Sequence, residues 1–243
     1  MQAHGGKEAC RSHRAAYVAG MKTTSGCCWL AAAFVVTVAG PVPVRGAEAV
    51  LTRPGQLTVT AVTGELSVRV GDVVKPVKAE ERVRVDSRLS SGRRSLAMLT
   101  FSNGATLELG PNSEVEVEEL LQAPFSTALK PAEWKAEPSV SRTRLRLIRG
   151  EARVTVKRLL AARGSVLAVV TPAGVATVDE GSLRVQARMT EIGLGLCVLE
   201  LTQGSGAFEP EGGEVRALVA GKRTQWSVES DGAGKRNRVT ELK

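Results

Sequence analysis

The stretch Ser91–Val117, SGRRSLAMLTFSNGATLELGPNSEVEV, decides the fold class. Apolar and polar residues alternate through three short segments, Leu96–Phe101, Ala105–Leu109 and Ser113–Val117. A period of two is what a strand with one buried face requires. Asn103-Gly104 separates the first two segments. It reads as a two-residue hairpin turn, because both residues tolerate positive φ. Gly110-Pro111-Asn112 separates the second from the third. There Pro presets φ and Asn can bond its own backbone. The expectation is a β-meander with Leu and Val inward and Glu and Thr outward.

The same pattern extends in both directions. Upstream, Leu57–Val62, Glu65–Val70 and Arg82–Asp86 alternate, with Gly64 and Gly71-Asp72 as turns. Lys75–Val83 is polar and contains Pro76, which cannot donate to a ladder, so it reads as a loop or an edge. Downstream, Thr143–Ile148 and Ala152–Val156 flank a turn at Gly150. Lys157–Gly164 is a connection with room for one helical turn. Ser165–Thr171, Val175–Asp179 and Ser182–Ala187 follow, with turns at Pro172-Ala173-Gly174 and Glu180-Gly181. Leu194–Leu201, Ser205–Glu209, Glu214–Val219 and Thr224–Val228 complete the set. Many short strands with frequent turn signals define an all-β chain. Strand–Gly–strand recurs at Gly64, Gly150 and Gly204. That echo fits a twisted sandwich or a solenoid-like β architecture, and alternation alone does not separate them.

The N-terminal region has another character. Lys22 follows Met21, the better initiator, and Cys27–Gly40 is an apolar run shorter than the roughly 20 residues of a spanning helix. Pro41 and Pro43 stop it, and Ala47-Glu48-Ala49 is a small-x-small cleavage pattern. Residues 1–49 are therefore expected to be an upstream extension and a signal peptide cleaved after Ala49. The mature chain would be periplasmic or secreted, with no membrane span after cleavage. Both histidines and three of the four cysteines fall in this leader. Only Cys197 is left, so no internal disulfide can form.

The rest divides into a β-domain over 50–230, a loop insertion at 120–141 and a disordered basic tail at 231–243. The insertion carries Pro124, Pro131, Pro138 and Trp134. Trp134 is a candidate partner-binding anchor, or else the cover of a core edge. Without histidine, the mature chain has no Ser-His-Asp or Cys-His pair and no imidazole ligand. Cys197, inside LGLCVLEL, reads as a buried small hydrophobe, and Trp226 as core. Catalytic residues, cofactors and metal ligands are therefore expected to be none. Few aromatics and scattered basic residues argue against nucleic acid. Two charged rows stand out: Glu114, Glu116 and Glu118 share one strand face, and Arg142, Arg144 and Arg146 share another. Paired antiparallel, they make a charge ladder. If it stays open, the arginine row is a candidate binding site for an anionic partner.

The order of these elements resembles the FecR domain of bacterial envelope signalling proteins. The resemblance is carried by Gly64-Glu65-Leu66, Gly92–Phe101, Asn103–Leu107 and Leu109-Gly110-Pro111-Asn112-Ser113. It continues through Leu147–Ala152, Val169-Val170-Thr171-Pro172, Gly181-Ser182 and Val219-Ala220-Gly221, covering roughly Leu57 to Val228. Ser182 stands where the family usually has Thr. The usual cytoplasmic anti-sigma segment and membrane helix are replaced by the signal peptide, so sigma-factor control does not carry over. The resemblance implies an exported, non-enzymatic domain that binds an envelope protein or polymer, with a role in cell-surface signalling. The alternative is a structural or adhesive module of the envelope.

Overall fold

The computed structural model describes residues 53–127, 129, 133–191, 194–231 and 234–242. The expected leader, 1–49, lies outside them. Among the described residues the chain is all-β, with sixteen strands in one continuous sheet. The first nine are β1 (Arg53–Pro54), β2 (Leu57–Thr63), β3 (Leu66–Val70), β4 (Val73–Pro76), β5 (Arg82–Val83), β6 (Arg88–Ser91), β7 (Leu96–Phe101), β8 (Thr106–Leu109) and β9 (Glu114–Gln122). They are followed by β10 (Ser141–Val156), β11 (Val166–Thr171), β12 (Gly174–Met189), β13 (Gly195–Pro210), β14 (Arg216–Ala217), β15 (Arg223–Asp231) and β16 (Gly234–Leu242). The connection before β11 holds a single 3₁₀ turn, Ala161–Arg163.

The pairings sort into two branches. One runs β5-β2-β7-β8, then the second halves of β10 and β12, the first half of β13, β15 and β16. The other runs β4-β3-β6-β9, then the first half of β10, β11, the first half of β12, the second half of β13, and β14. All neighbours are antiparallel except β10 and β11. Alternate residues of both branches join one buried cluster, among them Leu57, Leu107 and Leu183 from the first and Leu89, Leu145 and Phe208 from the second. The rings of Phe208 and Trp226, one from each branch, lie 4.6 Å apart. The branches are thus two layers over one core, and the long strands pass from one layer to the other.

That passage corrects the expected turns at Gly150 and Glu180-Gly181. Neither ends a strand. β10, β12 and β13 are each sixteen residues long and bend at Gly150, Gly181 and Gly204. Gly181 and Gly204 face each other across the ladder, at φ of 105° and 92°. A side chain at either would drive Cβ into the other strand's backbone. Glycine here turns a corner between layers without breaking the hydrogen-bonded strand.

Three further expectations change. The Asn103-Gly104 hairpin has three loop residues, because Phe101 N–H bonds Ala105 O at 2.9 Å and Gly104 N–H bonds Phe101 O at 2.9 Å. Only Gly104 takes positive φ, 86°. This is the turn-plus-bulge solution, and it frees the Asn103 side chain to point inward. Residues 231–243, expected to be disordered, include β16, which pairs with β15 along its whole length. A ladder needs only backbone groups, so basic and Gly-rich composition concealed it. Finally, β9 and β10 run into both ends of the 120–141 insertion, leaving its irregular part between Gln122 and Ser141.

Candidate functional site

The charged rows meet across β9 and β10. Bulges shift the register, so Arg144 stands opposite Glu119 and Arg146 opposite Glu116. Glu118 then takes both arginines, Arg144 Nε at 2.8 Å and Arg146 through its own guanidinium. Arg149 Nε lies 3.1 Å from Glu114. On the other side Arg88 reaches Glu114 at 3.4 Å and Glu116 at 3.3 Å. The acidic row is thus clasped between arginines of β6 and β10. These pairs are partly exposed, so each contributes about 0.2–1 kcal/mol. Their main effect is to hold register and to fix four guanidinium groups in place, those of Arg144 and Arg146 among them. Arg142 faces Leu121 instead, is exposed, and has no ion pair among the described residues.

A groove of about 760 Å³ opens beside these arginines on the outer face of the second layer. The parallel pairing sets Ala168 beside Arg144 and Val170 beside Arg146. Val175 and Thr177 of β12 continue the floor. The far wall is Glu209-Pro210-Glu211-Gly212, and Met189 closes one end. An apolar floor therefore lies between a cationic wall and an acidic one. Its chemistry suits an extended segment carrying both signs of charge. Among the described residues the one cysteine, Cys197, is on the core side, and burial pushes its thiol up to about 12. Among the described residues no group of three or more His, Cys, Asp or Glu gathers as a metal would require.

Trp134 is elsewhere. It is 8% exposed and meets Phe125 edge to face at 5.8 Å. Its ring lies over Gly104, and its Nε1–H donates to Leu129 O at 3.2 Å. It covers the β7–β8 turn and does not line the groove. Of the four candidate binding residues, the fold brings Arg144 and Arg146 to the groove, sets Arg142 next to them in the row, and separates Trp134.

One buried carboxylate escaped the sequence reading. Glu137 is 4% exposed; its Oε2 accepts from Ser141 Oγ at 2.6 Å and its Oε1 from Leu160 N–H at 2.6 Å. Asn103 Nδ2 donates to the same Ser141 Oγ at 3.0 Å, and Ser141 N–H donates to Ser165 Oγ at 3.1 Å. This network ties the insertion to the hairpin and to β11. The one signal for it was an acid set directly before Pro138-Ser139, in a stretch that has no period.

The sequence profile of the FecR protein family matches residues 87–205, from the start of β6 to just past the bend of β13. That span is narrower than the resemblance read over 57–228, and it contains the arginine row and most of the groove. No curated protein matches the chain at a significant level. Among solved structures, one similar chain is a candidate anti-sigma factor from Parabacteroides distasonis, at 16% identity and a TM-score of 0.42. The alignment covers 63% of this chain and 59% of that one. What the comparisons show of this chain is thus a FecR domain match over residues 87–205.

Proposed function

We propose that this is an exported, non-enzymatic binding module of envelope signalling, and that it takes an extended segment of an envelope protein in the outer groove of β10–β13. The family gives the signalling context. The observation that carries the binding reading is the groove itself, with an apolar floor between fixed arginines and the Glu209–Glu211 wall. Pockets of this kind hold ligands by burial and orient them by a few placed charges. The reading of export rests on the leader, Lys22 to Ala49.

A photo-crosslinking residue placed at Val166 in the full chain, expressed in its own cell, tests the groove. Leu96 is the control, since both positions are 43% exposed. The expected result is an adduct from 166, absent from 96, and lost when Thr177→Arg fills the floor. Equal adducts at both positions, or adducts indifferent to Thr177→Arg, would overturn the site. Mass spectrometry of the mature chain should find Val50 at its N-terminus, in the envelope fraction. A chain retaining the leader in the cytoplasm would end the export reading.

A further inference from the structure

A second cavity, of about 740 Å³, lies where the first strands of the two layers diverge. It shares no lining residue with the outer groove. Its apolar wall comes from both layers: Leu57 and Val83 from one, Val68 from the other, all at most 7% exposed. Lys75, Arg82 and Arg84 line it, and no carboxylate does. None of the three cations has an ion pair among the described residues. Glu80, Glu81 and Asp86 are close in sequence but do not line the cavity, and Glu81 Oε1 accepts from Lys78 N–H.

The deciding group is Ser87. It is fully buried, it lines this cavity, and its hydroxyl has no hydrogen-bond partner among the described residues. A buried hydroxyl without a partner costs free energy that a bound acceptor recovers. The size is that of a small-molecule site, about 300–1,000 Å³. We propose that this cavity binds an amphipathic anion: an apolar tail against Leu57, Val68 and Val83, and a carboxylate or phosphate monoester head held by Arg82, Arg84 and Lys75. Ser87 donates to an oxygen of the head. Fatty acids and phosphorylated lipids share this chemistry.

Titration calorimetry of the full chain with decanoate, decyl phosphate and decanol, all below micelle formation, tests it. One anion should bind one to one, and decanol at least about tenfold more weakly, as a lost charge-assisted bond predicts. The better of the two anions identifies the head group. Ser87→Ala should weaken binding by about tenfold while leaving the melting temperature unchanged or higher, because the orphan hydroxyl is gone. Arg82→Gln with Arg84→Gln should weaken it at least as much. Arg93→Gln with Arg94→Gln removes the same charge from exposed positions outside the cavity and should leave affinity unchanged. Equal affinity for decanol, no saturation with either anion, or equal losses in the two arginine pairs would overturn the proposal.

Discussion

Gly181 shows how much one residue position can decide. Its φ is 105°, and a Cβ built there falls on the Gln203 carbonyl oxygen. Gly181→Ala should therefore cost about 3–4 kcal/mol in urea denaturation, combining backbone strain with a displaced strand. Gly71 also has positive φ, 58°, but meets nothing within 4 Å, so Gly71→Ala should cost only about 1 kcal/mol. Equal costs would mean that the bend does not depend on close backbone approach. Cys197 makes a different test. Burial raises its thiol from 9.0 to about 12 in the fold, whereas the unfolded chain ionises it near the ordinary value. Its contribution to stability is thus fully present below pH 9 and is lost as pH climbs toward 12. Relative to Cys197→Ala, the wild-type chain should hold a constant stability difference below pH 9 and lose ground above it. A difference that stays flat up to pH 11, within that window, would show the thiolate to be tolerated.

At the scale of elements, β9 and β10 form a ladder whose charges specify register more than they stabilise. The Arg146 side chain is 48% exposed and Glu118 19%. A double-mutant cycle on Glu118→Gln and Arg146→Gln should return a coupling of about 0.2–1 kcal/mol. High salt should shrink that coupling, since half-exposed charges are screened. A coupling above about 2 kcal/mol would mean a far drier pair than the geometry describes. The β7–β8 hairpin makes a related point. Its Asn-Gly pair marked the turn, but the turn type was chosen by the inside of the protein. Asn103 is 3% exposed and spends its side chain on Ala105 N–H and Ser141 Oγ. A two-residue turn would put Asn103 itself at positive φ, where its side chain could not serve both partners.

At the scale of the molecule, two layers close over one cluster and are joined through bent strands, so the parts differ in how much they hold up. Among the described strands β16 pairs only with β15. A chain ending at Asp231 should unfold cooperatively with a midpoint close to the full chain's. A chain ending at Gly221 also loses Trp226 and Val228 from the core, 4% and 5% exposed, and should lose several kcal/mol. Comparable midpoints for the two truncations would contradict a core sealed by β15. The amino-acid sequence by itself determined the all-β class, the outward rows of Glu and Arg, the burial of Cys197 and Trp226, and the turns at Gly71-Asp72, Asn103-Gly104, Gly110-Pro111-Asn112 and Pro172-Ala173-Gly174. All of these follow from period two and from residue chemistry, which act locally. Tertiary structure alone decided that Gly150, Gly181 and Gly204 bend strands without ending them, that 234–242 pairs, that Trp134 covers a turn, and which arginines line a groove. Those outcomes depend on which strands become neighbours. Neighbours are chosen by long-range backbone pairing, and side-chain alternation carries no record of it.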